Sequence, residues 1–322
     1  MLAPPMRSDP DGTNREPLLV LENPIAGNGR GARAAAALRA ALAAHAVPFA
    51  SCTTTHRGHA RALAAAATPG RTIVVVGGDG SVHEVLNGLP VHAGAIGPLA
   101  VLPCGSGDDL ASSLRLSRDP RQLAAALAHD APRALDVAVA SYAGPDGLVH
   151  ERFANSAAFG LDAEVAIEAC KPHRLRGRLL YAAATLAVLR RNPRFQATIT
   201  AGGAGRTPTT IHGEWSFLAT CNGQFIGGGM RLVPDGRCDD GQLDAVAVAA
   251  CPRRTILWLF AKLLTGRHRG DPRLHTLRSA RIDVTTDRPV HGALDGEPLP
   301  APVTAITYTI APERLWFLGA RC

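Results

Sequence analysis

The residues that could do chemistry in this sequence gather at three glycine-rich junctions and one acidic turn. The junctions are Asn23-Pro24-Ile25-Ala26-Gly27-Asn28-Gly29-Arg30-Gly31-Ala32, then Gly77-Gly78-Asp79-Gly80-Ser81, then Gly105-Ser106-Gly107-Asp108-Asp109. Glycine lets anion oxygens approach main-chain N–H groups, and a helix N-terminus favours negative charge, so each junction suits a phosphate. Gly27, Gly29 and Ala32 formally satisfy the G-x-G-x-x-A dinucleotide fingerprint. The next strand, VPFASCTTT, supplies no Asp or Glu for a ribose, which disfavours dinucleotide binding. Asp79 would repel a phosphate unless a metal ion mediates or the carboxylate handles a proton; a strand-to-helix turn with an Asp cap is the alternative. Asp108 and Asp109 read either as metal and phosphate carboxylates or as acidic residues opening a helix. The acidic turn is Asp295-Gly296-Glu297. By spacing alone it is an exposed hairpin pair; turned into a cleft, it could accept a proton.

The elements that must position these groups change character along the chain. Residues 1–16 read as a floppy leader with no apolar h-region, so no signal peptide is expected. LLVLEN (18–23), VPFASCTTT (47–55), TIVVV (72–76) and PLAVLP (98–103) are strands, and helices are expected over 32–46, 58–67 and 82–89. Apolar runs without alternation imply strands buried on both faces, hence a parallel βαβ domain over 17–134. All three glycine junctions then fall at C-terminal strand ends, facing one crevice. From 135 to 309 the texture is alternating and β-branched: DVAVASY, LVHERFANSAAF, FQATITA, TTIHGEWSFLAT, QLDAVAVAA, RIDVTTD and TAITYTI are strands of an antiparallel domain. Helices are expected within it at about 176–191 and 254–265.

Composition bounds what these parts can be. A chain of 322 residues with 46% hydrophobic and 19% charged residues is a folded, soluble profile with room for two domains. The formal charge of +7 would suit nucleic acid, nucleotide phosphates or an acidic membrane. Lys171 and Lys262 are the only lysines among 34 basic residues, which points to a GC-rich, bacterial coding bias rather than to function. Scattered arginines and 4% aromatics exclude nucleic-acid binding. The seven cysteines are odd in number and have no C-x-x-C pair, which fits a reducing cytoplasm and neither a disulfide framework nor a zinc site. His83 and His212 have no partners at metal spacing and read as structural. The longest apolar stretch, LLYAAATLAVL at 179–189, is too short to span a bilayer.

In their order, NPIAGNGRG, GGDGSVHEVLNGL and LPCGSGDDLA resemble the diacylglycerol kinase catalytic-domain family, which includes bacterial lipid kinases and sphingosine and ceramide kinases. FANSAAFGLDAEV (153–165), CNGQFIGGGMRLVPDGRCDDGQLD (221–244) and HGALDGEPL (291–299) extend the resemblance from about residue 17 to the C-terminus. It implies a Rossmann-like nucleotide-binding α/β domain, completed by residues 310–322, and an antiparallel β-sandwich-like lipid-substrate domain, with ATP and lipid meeting in a cleft. It further implies that Asn23, Pro24, Gly27, Thr54, Gly77, Gly78, Asp79, Gly80, Ser81, Glu84, Gly105 and Ser106 serve ATP. Asp240, with main-chain groups of Arg237 and Gln242, would hold a metal, Mg2+ being the expected ion. Glu297 would be the proton acceptor with Asp295 and Asp79 near the reacting centre, and Asp109 and Asp162 would face the substrate, a plain strand-end Asp being the alternative for Asp162. Two departures stand out. Ser81 and Ser106 keep the hydroxyl of the family's threonines, whereas Asp108 puts a carboxylate where the family has an asparagine amide, which bears on nucleotide preference and metal dependence.

The expected activity is ATP- and Mg2+-dependent phosphorylation of a hydroxyl on a diacylglycerol-like or sphingoid lipid, by a cytoplasmic protein peripheral at the inner membrane face. Alternatives are a kinase of a soluble substrate such as NAD, and a nucleotide- or lipid-binding regulator whose catalysis has decayed through Asp108. PRRTILWLFAKLL (252–264), ending in Gly266-Arg267-His268-Arg269, and the segment from Leu175-Arg176-Gly177-Arg178 to Arg190-Arg191 have basic ends around apolar centres. Each suits an interfacial helix or a helix covering the core. The sequence leaves a homodimer open.

Overall fold

Buried, unalternating strands require cover on both faces, and the first half of the chain supplies it with helices. The computed structural model describes residues 16–171, 178–203, 206–264 and 267–320. The chain divides into two units: the residues up to Val137 together with those from Pro312 on, and Ala138–Ala311.

Unit 1 runs β1 (Leu18–Glu22), α1 (Ala26–Ala44), β2 (Phe49–Thr53), α2 (His59–Ala65), β3 (Ile73–Gly77), α3 (Asp79–Gly88), β4 (Val91–His92) and β5 (Ala95–Pro103). It continues with α4 (Asp109–Ser113), α5 (Pro120–His129) and β6 (Arg133–Leu135). β3, IVVVG, is buried at every residue. α1 buries Ala35, Leu38, Ala41 and Leu42 at helical spacing against that sheet, each leucine stabilising by roughly 1.5–3 kcal/mol. The sheet order is β2-β1-β3-β5, extended by a strand from the far end of the chain, β20 (Arg314–Phe317), and then β6. β1, β2, β3, β5 and β20 are parallel; β6 and β4 pair antiparallel. Buried Asp136, just after β6, receives the Arg314 guanidinium and pins that returning strand. Because β1 sits between β2 and β3, the winding reverses there, and open α/β sheets bind ligands outside the strand ends at such a reversal.

Unit 2 contains β7 (Ala138–Gly144), β8 (Gly147–Phe153), β9 (Ser156–Gly160), α6 (Leu161–Ala169), α7 (Arg178–Arg191), β10 (Phe195–Gly203) and β11 (Arg206–Cys221). There follow β12 (Phe225–Ile226), β13 (Met230–Arg231), β14 (Leu243–Ala249), α8 (Arg253–Leu264), β15 (Leu274–Ser279) and β16 (Arg281–Val290). β17 (Gly292–Leu294), β18 (Glu297–Pro298) and β19 (Val303–Ile310) complete it. All but the β12–β13 pair form one antiparallel sheet, in which β11 pairs with β10 over its first part and with β9 and β14 over its last. Alternation gives the sheet two buried faces. Leu243, Ala245 and Ala247 of β14 join the core shared with β10, β16 and β19, while Val246 and Val248 join the core covered by α6, α7 and α8. This is the expected pairing of a parallel α/β fold with a curled antiparallel sheet.

Three local expectations are corrected. LVHERFANSAAF is two strands, β8 and β9, broken at Ala154 and Asn155 because their N–H groups are drawn to a side chain from β17's turn. The helix expected from Val82 starts at Asp79, so the second glycine junction is a strand end and a first helical turn with no loop between. α5, α6 and β15 were not expected at all. The basic segment 175–177, the leader to residue 15, and Gly266 lie outside the described residues.

Candidate functional site

In unit 1 the three junctions converge beside the β1/β3 reversal. The Asn23 N–H donates to Val76 O (3.0 Å), and its side-chain amide donates to Ser81 Oγ (2.9 Å), strapping the tail of β1 to the first turn of α3. Pro24 then leads into Gly27, Asn28 and Gly29, all left-handed at φ +57°, +62° and +86°. A Cβ on Gly27 would lie 2.0 Å from Cys104 O, so the first junction rests directly on the third. The second and third touch as well: Cys104 N–H donates to Gly77 O (2.9 Å), and a Cβ on Gly78 would stand 2.8 Å from the Gly105 Cα. Arg30 donates from Nε to Gly27 O (3.0 Å) and from Nη2 to Gly105 O (2.7 Å), bridging the first junction to the third.

The carboxylates here face protein N–H groups. Asp79 accepts from the N–H groups of Asp109 (3.0 Å) and Leu110 (3.2 Å), closing the start of α4. Glu84 accepts from Gly58 N–H (2.8 Å) and Ala60 N–H (3.2 Å), closing α2, whose own N-cap is a left-handed glycine with no side chain to do so. Thr54 is tied to Glu22 O through its N–H (2.8 Å) and hydroxyl (3.2 Å). Gly80 is partly accessible on the first turn of α3, and Ser106 is exposed. Asp108, 1% exposed and left-handed, accepts from Gly105 N–H (2.9 Å), and its other oxygen lies 3.0 Å from the Arg118 guanidinium. Burial pushes the Asp108 carboxyl up from its ordinary range, with Arg118 pulling it back down. Burial, with Asp108 second, pushes the neighbouring Cys104 thiol up to about 11, so it is not a nucleophile at neutral pH. Among the described residues no disulfide is formed.

In unit 2, Leu294 and Glu297 pair across a two-residue turn in which Asp295 (φ +48°) and Gly296 (φ +86°) are both left-handed, the geometry for which Asp-Gly is preferred. Asp295 does not point out to solvent from this hairpin. Its carboxylate accepts from the N–H groups of Ala154 (2.9 Å), Asn155 (2.9 Å) and Ser156 (3.1 Å), and its own N–H donates to Ser156 O (2.7 Å). Asn155 O in turn accepts from Asn222 and Gly223, and the Asn222 amide donates to Ala154 O (2.8 Å). Three motif segments far apart in sequence are thereby knitted together under Glu297, which is partly buried. Asp162 lies in the first turn of α6, whose Ala163 and Ala166 pack against Ala158 of β9 and Ala293 of β17, with β18 alongside.

Asp240 precedes β14. Its Oδ1 accepts from Gln242 N–H (3.0 Å), and its Oδ2 accepts from the Arg278 guanidinium. The Arg237 side chain pairs with Asp239 (3.0 Å). Among the described residues no three His, Cys, Asp or Glu side chains are grouped to hold a metal ion. With both Asp240 oxygens engaged by donors, one of them cationic, these residues do not fit a bound divalent cation. Sequence reasoning passed over Arg30, Arg118, Arg278, Asn155 and Asn222. Arg30 and the two asparagines lie inside the quoted motifs, whereas Arg118 and Arg278 carry no local signal.

Glycine junctions at a winding reversal stand in one chain with an antiparallel β unit. A family model described as the diacylglycerol kinase catalytic domain matches residues 17–140, and one described as the YegS C-terminal NAD kinase beta sandwich-like domain matches 155–319. The chain belongs to the diacylglycerol kinase catalytic-domain family. It is 28% identical to a Mycobacterium tuberculosis protein named diacylglycerol kinase over 292 residues, covering 89% of this chain and 91% of that one. It is also 28% identical to a Stenotrophomonas maltophilia protein named "Probable lipid kinase YegS-like", covering 71% and 73%. The fold is shared with a diacylglycerol kinase crystal structure from Bacillus anthracis (TM-score 0.66, 21% identity, 93% of this chain and 96% of that one). It is shared more loosely with yeast NADH kinase (TM-score 0.51, 13% identity, 96% and 85%).

Proposed function

We propose that the protein is a lipid kinase that transfers the γ-phosphate of MgATP to a hydroxyl of a diacylglycerol-like or sphingoid lipid at the inner face of the cytoplasmic membrane. The observation that carries the reading is the near-full-length likeness to a relative named diacylglycerol kinase, with the glycine junctions of unit 1 converging where a nucleotide is expected. The donor's metal arrives on its phosphates as part of the substrate. Unit 1 binds and orients: the close-packed backbones of Gly27, Gly78 and Gly105 set the junctions, and the N-terminus of α3 favours the negative phosphates. Asp79 is a positioning residue, holding the start of α4 so that Ser106 and Asp109 keep their places. In unit 2, Glu297 accepts the proton that the lipid hydroxyl loses on attack, and Asp295 fixes the turn that carries it. Asp162, on the helix packed against that turn, faces the acceptor.

The lipid partner is supported by exposed apolar side chains on two helices of unit 2. Leu257 and Trp258 of α8 are each 48% exposed beside exposed Arg253 and Arg254, and Leu186 of α7 is 48% exposed one turn before Arg190. Apolar side chains flanked by arginines suit an anionic bilayer surface. No helix among the described residues is long and apolar enough to cross a membrane. A soluble acceptor is the second reading, favoured by the NAD kinase-like description of the unit 2 model. Catalytic decay through Asp108 is disfavoured, because that carboxylate is turned inward onto Gly105 N–H and Arg118 rather than toward a ligand.

The test is Glu297→Gln in mixed micelles with MgATP. Loss of the proton acceptor should lower kcat by about 10²–10⁴ with nucleotide affinity unchanged. Unchanged kcat refutes the role.

A further inference from the structure

We infer that Arg278 is a built-in cation at the Asp240 turn, filling the place that a divalent metal would take there, so that unit 2 of this protein folds without one. The inference stands apart from the choice of substrate, since it concerns only how the 235–244 segment is neutralised.

The geometry begins with register. β14 and β15 are antiparallel, and Asp244 is the direct cross-strand partner of Arg278. Cross-strand neighbours lie within side-chain reach, and the long Arg278 side chain runs past Asp244 to the turn that precedes it. There its Nη2 donates to Asp240 Oδ2, while its Nε stays 3.7 Å from Asp244 Oδ1. The remaining Asp240 oxygen is taken by Gln242 N–H at 3.0 Å, which closes the turn. One planar, permanently charged fork therefore spans two carboxylates that are each only 20% exposed.

The other aspartates of the segment are paired with arginines as well, Asp239 with Arg237 and Asp235 with Arg269. A divalent ion at Asp240 would need oxygen ligands at roughly 2.0–2.6 Å and would sit against a fixed guanidinium, a strong like-charge conflict at partial burial.

The experiment uses the full chain without nucleotide, so that metal carried by ATP plays no part and kinase activity is not the readout. Thermal unfolding and titration calorimetry are run with MgCl2 and with CaCl2 against EDTA. The wild type should show no saturable heat and the same Tm in all three. Arg278→Gln frees both carboxylates and should lower the EDTA Tm. It should gain roughly tenfold or more in affinity for at least one of the two ions, with the Tm restored by that ion. Arg278→Lys, which keeps a charge, should stay indifferent to both. Adding Asp240→Asn to Arg278→Gln should abolish the gain. A saturable, Tm-raising response in the wild type that Asp240→Asn removes overturns the inference, and so does an Arg278→Gln protein that folds yet remains blind to both ions. If Arg278→Gln fails to fold, the wild-type and Asp240→Asn titrations decide the matter alone.

Discussion

Asp295 offers the sharpest separation of a positioning role from a chemical one. Its Oδ1 accepts from Asn155 and Ser156 and its Oδ2 from Ala154, and the donors Ala154 and Asn155 are each 3% exposed. Hydrogen bonds to a charged acceptor contribute about 1.5–3 kcal/mol each, and orphaning a buried N–H costs a further penalty of similar size. Asp295→Asn can keep Oδ1 on Asn155 and Ser156 but presents an NH2 group to the Ala154 N–H, so it should cost about 2–3 kcal/mol. Asp295→Gly removes all three bonds while tolerating φ +48°; water reaching the partly exposed turn offsets some of the loss, leaving about 3–5 kcal/mol. Asp295→Ala should cost about 1–2 kcal/mol more than Gly, because alanine resists the left-handed region. Denaturant unfolding gives the order Asn, Gly, Ala. Hydrogen exchange should localise the loss to residues 154–156 and to 222–225, which hang from the same network. A glycine variant within about 0.5 kcal/mol of wild type, or exchange unchanged in those segments, would refute the reasoning.

Other outcomes follow from unit 1. Gly27→Ala must place a Cβ 2.0 Å from a main-chain oxygen at φ +57°, and should cost about 3–5 kcal/mol and abolish ATP binding. Gly29→Ala meets open space and should cost only about 1–2 kcal/mol, read by the same titrations. Glu84→Ala should raise exchange over 58–65 and cost about 1–2 kcal/mol through the lost cap of α2, with ATP affinity changing less than stability. The Asp108 carboxyl is raised in the folded state, so the native protein holds its proton more tightly than the unfolded chain does. Its contribution to stability therefore falls as pH rises from the ordinary Asp range through the higher folded value. Asp108→Asn, uncharged and tolerant of φ +58°, should stabilise the protein at neutral pH, and the gain should shrink as pH drops toward 4. A gain independent of pH would contradict this.

What could be read from the sequence was what local pattern carries. β3 announces itself by four consecutive β-branched residues, and Gly77-Gly78 by the turn that must follow them. α6 escaped because it is buried at Leu161, Ala163, Val165 and Ala166, a run that begins with the period of a strand and directly continues β9. The break between β8 and β9 was invisible for a different reason: Asp295, about 140 residues away, makes it. The same holds for charge. Asp79 and Glu84 have the types and spacing of ligand groups, yet each closes a helix brought near only by the fold. Arg278 reaches Asp240 through a strand, LHTLRS, too polar to be noticed. Motif order was legible because it records which residues meet, while the bond each residue makes depends on contacts at long sequence separation.

The central claim is phosphoryl transfer to a lipid hydroxyl, and the most direct measurement is a competition for γ-labelled ATP. The intact protein is offered diacylglycerol and sphingoid base in mixed micelles together with NAD at equal concentration, and the products are separated by phase. Label in the lipid phase, lost in Glu297→Gln, is the predicted result. Label in NAD, or none in either acceptor from protein that binds ATP, would contradict it.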